Sequence, residues 1–294
     1  MASARLRKPL RTNLSRNFHY WLLLPAVMVL MLSQVYPTFY SIYMSFNKLR
    51  GGRLIWVGLG NFTRLLRSGD FLHSLQRTAM YTGGYLILTM VLAMCVAILL
   101  NRRVLLTPVY MIILFIPWVL SDVVSGTMWR WMFQQDYGVV QVALNPFVNR
   151  LSLLSNDIGA MLVMIVSSTW RSLAFTSLVL LGALQTVPTE IKEAASIDGT
   201  TGFQTFWKIT LPMIRPTLLV ITLLTSIGGI NSLGLILATT NGGPGNATTT
   251  ASVLLYREAW QFGDFGLASA LAVFMFFINM ALTLVYFRIL KERN

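Results

Sequence analysis

Apolar residues fall along this chain in long blocks, and polar or charged clusters mark the gaps between them. A bilayer offers no water to backbone groups, so a spanning segment is a helix of about 20 mostly apolar residues. Six segments meet that requirement: Phe18 to Phe46, Thr78 to Leu100, Val104 to Met132, Ile158 to Thr186, Pro216 to Thr240 and Phe265 to Ile289. The first and fourth are long enough to tilt or to run past the bilayer, and Pro37 is placed to kink the first. The expected fold class is an all-α membrane protein with six transmembrane helices.

The gaps carry their own signals. In Gly58-Leu59-Gly60-Asn61-Phe62-Thr63-Arg64-Leu65-Leu66 the apolar positions 59, 62, 65 and 66 have helical spacing, which suits either a helix laid on the outer leaflet or a solvated loop helix. Asn241-Gly242-Gly243-Pro244-Gly245-Asn246 is a turn cluster that ends the fifth segment and leads into a short outer loop. Gln134 to Asp157 is a longer connection with room for a partly helical piece.

Composition supports the membrane reading: 55% of residues are hydrophobic and 11% charged, against about 25% charged in soluble domains. The net charge of +13 does not point to nucleic acid, because the basic residues flank apolar segments and form no basic face with interleaved aromatics. Their distribution bears on orientation instead. A cytosolic N-terminus puts Arg5, Arg7, Lys8, Arg11, Arg16, Arg102, Arg103, Lys192, Lys208, Arg215, Arg288, Lys291 and Arg293 inside. It leaves Lys48, Arg50, Arg53, Arg64, Arg67, Arg77, Arg130, Arg150 and Arg257 outside. The basic cluster ahead of the first helix decides for both termini inside. That helix reads as retained, since its apolar run is too long for a signal peptide and lacks a small-residue cleavage site.

Catalytic motifs are missing from the sequence: no GxxxxGK[ST], HExxH, GxSxG or cysteine pair. Cys95 is alone and expected to serve packing, and His19 and His73 lie at membrane borders, so no metal site is expected. The chain is not expected to be an enzyme, and a nucleotide that powers it must bind elsewhere.

Between the fourth and fifth segments, about 187–215, lies the segment richest in local signals. Pro188 and Thr189 open a short helix and Gly199 closes it. Ala194 and Ala195 are small enough for close approach of a second surface, to which Glu190, Glu193 and Asp198 offer carboxylates. Phe203, Phe206, Trp207 and Ile209 can pack a second short helix under the bundle, and Leu211-Pro212 turns the chain into the fifth span. A helix-turn-helix projecting from the membrane results. Within the spans, Asp122 and Arg171 are candidates for function because charge is costly there; they either pair for structure or face a pathway.

The pattern Glu193-Ala194-Ala195, then Gly199, Ile209 and Leu211-Pro212 resembles the EAA motif of membrane subunits of bacterial ABC importers. Leu24-Pro25, Tyr36-Pro37 with Ser45-Phe46, Gly58-Leu59-Gly60-Asn61-Phe62, Trp131-Met132-Phe133, Gly242-Gly243-Pro244 and Tyr256-Arg257-Glu258-Ala259 are similar to the carbohydrate-uptake branch. Within it the chain is similar in particular to the first permeases of the maltose and glycerol-3-phosphate importers. The resemblance covers roughly residues 20 to 290 and implies the type I ABC importer permease fold. It implies three parts: a cytosolic basic N-terminus (1–17), a permease domain (18–290) and a cytosolic tail (291–294) in a bacterial inner membrane.

The resemblance further implies that Glu193 anchors the loop to a cytosolic ATPase, that Ala194 and Ala195 form the contact surface, and that Asp198 and Gly199 complete it. It implies a sugar pathway lined by Ser168, Arg171, Ser172 and Phe175 before the loop and by Thr225, Gly228, Gly229 and Ser232 after it, each set at i, i+3, i+4, i+7. An unpaired Arg171 facing the cavity favours an anionic substrate such as a uronate or phosphorylated polyol. The implied partners are a second homologous permease, two ATPase subunits holding ATP and Mg, and an extracytoplasmic binding protein. Two alternatives stay open: an ion-coupled secondary transporter, and an importer permease for a solute other than a sugar.

Overall fold

A computed structural model describes residues 14–102, 107–144 and 152–291. The first span is α1 (Leu14–Leu30), a π-helical turn (Met31–Val35) and α2 (Tyr36–Ser45). The irregularity expected at Pro37 takes the form of that wider turn just ahead of the proline, which cannot donate a backbone hydrogen bond. From Leu22 to Tyr40 every residue is exposed.

A two-stranded antiparallel hairpin follows, β1 (Asn47–Arg50) and β2 (Arg53–Trp56). It was not among the expected elements. Its turn is Gly51-Gly52, both at positive φ (58° and 77°), the backbone shape that tight hairpin turns demand. The helix expected after it is present as α3 (Gly60–Arg67), but its apolar residues do not share one fate. Leu65 is buried, whereas Leu59 and Leu66 point outward. Asn61 does the anchoring, donating from Nδ2 to the carbonyls of Ser45 (2.8 Å) and Asn47 (2.9 Å).

Helix α4 (Gly69–Leu100) begins at Gly69 rather than Thr78. Its buried face is Phe71, Ser74, Thr78, Tyr81, Thr82, Tyr85, Thr89, Ala93 and Ala97, while Leu72, Met80, Ile87, Val91 and Leu99 are exposed. This is the reverse of a soluble helix: lipid takes the apolar face and hydroxyls turn inward; those of Ser74, Thr78, Tyr81, Tyr85 and Thr89 find partners, and that of Thr82 finds none. Cys95 also lies on an exposed face, so it does not serve packing within the chain. The partner of α4 is α8 (Asp157–Gln185), started by Asn156, whose side chain accepts from the backbone N–H of Ile158 and Gly159.

Two expected spans are broken rather than straight. In place of Val104 to Met132 stand α5 (Thr107–Val119) and α6 (Asp122–Met132), bent by 97°. Ser121 caps α6 by accepting from Val124 N–H, which stabilises the restart after the break. The expected connection after α6 holds a helical piece, α7 (Val139–Leu144). In place of Pro216 to Thr240, a helix over Arg215–Ile230 stops at Asn231 and resumes over Gly234–Thr239. Among the described residues, four helices are long and apolar enough to cross a membrane, or up to six if two bent pairs each count as one: Pro108–Val119 with Asp122–Met132 (97°) and Gly202–Met213 with Arg215–Ile230 (72°).

The loop ahead of the fifth span contains α9 (Thr189–Ile197), α10 (Gly202–Thr205), a π-helical turn (Phe206–Thr210) and α11 (Leu211–Met213). The fifth span itself comprises α12 (Arg215–Ile230) and α13 (Gly234–Thr239). The short loop expected beyond Thr240 is instead packed structure. Helix α14 (Ala251–Tyr256) buries Ala251, Ser252, Val253 and Leu254 before a π-helical turn (Arg257–Gln261) and α15 (Phe265–Lys291). Arg257 reaches back to the Asn246 side chain (2.6 Å) and the Asn241 carbonyl (2.7 Å), closing the glycine-proline turn onto it.

One apolar cluster, with Ala93, Ala97, Leu180, Leu184, Val187 and Ile214, sits beneath the 187–215 loop. Another, with Leu65, Phe71, Leu254, Leu267 and Leu271, closes the opposite end. The basic residues Arg5, Arg7, Lys8, Arg11, Arg103, Arg150 and Arg293 lie outside the described residues.

Candidate functional site

Two constructions stand out, one at an end of the bundle and one in its middle. At the end, α9 rises from a base held by Val187 and Ile214 in the apolar cluster. Its stop is built from the backbone. Gly199 has φ +77°, its N–H donates to Ser196 O (3.1 Å), and Thr200 N–H donates to Ala195 O (3.1 Å). These two bonds are the left-handed helix stop that glycine favours. The Thr200 hydroxyl adds a bond to Ala195 O (2.7 Å), and Thr201 with Gln204 forms a reciprocal cap that starts α10.

Glu193, Ala194, Asp198 and Gly199 are exposed together on this knob. Ala195 is not: it is 5% exposed and faces the protein's own interior. Consecutive helical residues are about 100° apart, and here Ala194 turns outward while Ala195 turns inward. The aromatic residues also depart from expectation. Phe203 (74% exposed) and Trp207 (53%) do not pack under the bundle, and with Ile197 (87%) they give the knob an uncovered apolar surface.

In the middle of the bundle lies a cavity of about 380 Å³ lined by Tyr81, Tyr85, Asp122, Ser168, Arg171, Ser172, Gly228, Asn231, Ser232 and Leu235. Four elements meet there: α4, the start of α6, α8 and the interruption between α12 and α13. The Tyr81 hydroxyl bonds to Ser168 Oγ (2.7 Å) and Ser232 Oγ (3.2 Å), and the Tyr85 hydroxyl to Ser172 Oγ (2.6 Å). Arg171 Nη1 is 2.9 Å from Asp122 Oδ1, and its Nε donates to Leu120 O (3.1 Å) at the break between α5 and α6. The two charges pair with each other, and both line the cavity.

The predicted pathway residues therefore divide. Asp122, Ser168, Arg171, Ser172, Gly228 and Ser232 line the cavity. Thr225 does not; it is buried and its hydroxyl donates to Ile221 O (2.8 Å). Gly229 is also turned away, packed so closely on α4 that a Cβ there lies 2.9 Å from Thr82 Cγ2. Phe175 stacks on Trp118 (ring centroids 5.8 Å apart) beyond the cavity. A shared face was expected of Thr225, Gly228, Gly229 and Ser232, but the helix ends at Ile230, Thr225 is buried and Gly229 faces α4. The lining residues missed were Tyr81, Tyr85, Asn231 and Leu235. A signal existed for the tyrosines: with Thr78, Thr82 and Thr89 they make a polar stripe at helical spacing inside an apolar segment.

A polar cavity among helices whose apolar faces are exposed defines the class: a membrane permease. Residues 86–293 match the family described as "Binding-protein-dependent transport system inner membrane component", and the chain belongs to it. It is 30% identical over 280 residues to the trehalose/maltose transport system permease protein MalF of Thermococcus litoralis, covering 94% of each chain. It is likewise 30% identical to the sn-glycerol-3-phosphate transport system permease protein UgpA of Brucella suis, over 93% of this chain and 94% of that one. A bacterial alginate ABC transporter, solved with its alginate pentasaccharide-bound periplasmic protein, contains a chain of the same fold. The TM-score is 0.80 at 22% identity, over 97% of this chain and 98% of that one. The fold is thus that of an ABC importer permease.

Proposed function

We propose that this chain is one permease subunit of an ATP-driven sugar uptake system and forms half of its translocation pathway. A second, homologous permease packs beside it, and the uncovered apolar face from Leu22 to Tyr40 suits such a neighbour as well as lipid. Two cytosolic ATPase subunits carry the nucleotide and its Mg, so hydrolysis is not this chain's chemistry. An extracytoplasmic binding protein delivers the solute. Both termini and the 187–215 loop face the cytosol of a bacterial inner membrane, with 1–17 and 291–294 flanking the permease domain.

The observation that carries this reading is the knob. Glu193, Ala194, Asp198 and Gly199 are presented on a helix whose stop is rigid and whose root is buried, so force applied to the knob reaches α8 and α12 directly. A partly exposed ion pair at Glu193 contributes only about 0–1 kcal/mol; shape and the apolar surface at Ile197, Phe203 and Trp207 supply most of the contact. Closure of the ATPases on ATP draws two such knobs together and reorients the bundles, driven by the partners' different affinities for the two states.

The names of the similar proteins support a sugar or polyol solute, and the hydroxyl-lined cavity suits one, since hydroxyls both donate and accept. The broken pairs α5/α6 and α12/α13 are also a feature of ion-coupled secondary transporters. Family membership and the knob favour the ATP-driven reading over that one. Uptake by the reconstituted complex in vesicles separates them: it requires ATP and the binding protein. Uptake driven by an ion gradient with ATP absent would refute the proposal.

A further inference from the structure

We propose that the Asp122–Arg171 pair selects for an uncharged saccharide over an acidic one, with Asp122 as the residue that sets this preference. The inference rests on the sugar-uptake reading and narrows its substrate class, which family membership leaves open: similar proteins are named for trehalose and maltose and for glycerol-3-phosphate.

Two features of the cavity would attract an anion if left unanswered. One is the Arg171 guanidinium. The other is the N-terminal end of α6, where aligned peptide dipoles leave partial positive charge. A single carboxylate answers both. Asp122 is the first residue of α6 and its Oδ1 lies 2.9 Å from Arg171 Nη1. The guanidinium is further committed through Nε to Leu120 O. Every other polar lining group (Tyr81, Tyr85, Ser168, Ser172, Asn231, Ser232) is a hydroxyl or an amide. The described lining therefore carries one positive and one negative group and no net charge.

A hydroxylic solute loses water in this cavity but regains hydrogen bonds from acceptors and donors of both kinds, including the carboxylate and guanidinium. An acidic solute loses more water and finds no unpaired cation, while Asp122 repels it. Replacing Asp122 with Asn keeps the shape, releases Arg171 and the α6 terminus, and turns the same cavity toward anions.

The test is equilibrium binding by the purified complex of both permeases with the ATPase. The probes are glucose-, galactose- and mannose-based disaccharides, each set against its diuronate counterpart. The wild-type complex is expected to bind its preferred uncharged disaccharide about tenfold or more tightly than the matched diuronate. Asp122→Asn moves that ratio at least about tenfold toward the diuronate, and adding Arg171→Gln to it abolishes the gain. A wild-type complex that prefers diuronates overturns the proposal without recourse to any variant, as does an Asp122→Asn complex that folds with an unchanged ratio. Failure of wild type to bind either series overturns this inference, whereas the sugar-uptake reading fails separately, on uptake that needs neither ATP nor the binding protein.

Discussion

Gly199 offers the sharpest test of how the knob works. A Cβ placed there meets no atom within 4 Å, so Gly199→Ala introduces no clash. The backbone, however, sits at φ +77°, where an L-residue costs about 1–2 kcal/mol. That lowers the ratio of formed to unformed helix stop by about 5- to 30-fold. The bonds at risk are Gly199 N–H to Ser196 O and Thr200 N–H to Ala195 O, which hold α9 at a fixed angle to α10. The subunit still inserts, because the spans do not depend on the stop. In vesicles containing the full complex, solute moved per ATP hydrolysed is expected to fall in Gly199→Ala. It falls further in Gly199→Arg, which adds bulk and charge to the exposed knob. Gly199→Asn falls least, since Asn tolerates the left-handed conformation. Wild-type coupling in Gly199→Ala, or an Asn variant no better than Ala, would show that the stop transmits no force.

Tyr85→Phe removes the bond to Ser172 (2.6 Å) and keeps the ring, so the complex is expected to lose about 0.6–2 kcal/mol, read as a lower melting temperature in detergent. Gly126→Ala puts a methyl group 2.7 Å from both Ala238 Cβ and Leu235 O, forcing α6 and α13 apart at about 1–3 kcal/mol. Gly228→Ala, with nothing within 4 Å, leaves the melting temperature unchanged. Burial, and then the Asp264 carboxylate, hold the Glu258 carboxyl above its ordinary 4.5 against the pull of Arg64. The folded state thus binds this proton more tightly than the unfolded one. The resulting stability is gained as pH falls through the raised value and lost as pH rises through it. Glu258→Gln is expected to flatten that part of the melting profile between pH 7 and pH 4.5, and an unchanged slope would contradict the assignment.

Much of this protein was legible in one dimension. The positions of the apolar segments follow from the cost of an unsatisfied backbone in lipid, a property of local composition. The 187–215 loop was legible because its motif has fixed spacing and its helix stop needs a glycine at one place. Even the hairpin had a visible signal in Gly51-Gly52 between short runs mixing basic and apolar residues, although the helical reading of the chain obscured it.

What the sequence left open is which way things face. Hydrophobic periodicity reports the interior of a soluble helix because water rejects its apolar side; in lipid the apolar side is the outside, and a largely apolar helix shows no preferred face. Hence the inward stripe of Tyr81 and Tyr85, the outward turn of Ala194 against the inward turn of Ala195, and the burial of Thr225 and Gly229 were decided only by neighbouring helices. The same holds for the breaks at Leu120–Ser121 and Asn231–Leu233. A span interrupted at membrane depth survives only where other elements satisfy the freed groups, as Arg171 does for Leu120 O. The charges of Asp122 and Arg171 were plain from the start. Their pairing across two helices, which neutralises the cavity, belongs to the tertiary structure alone.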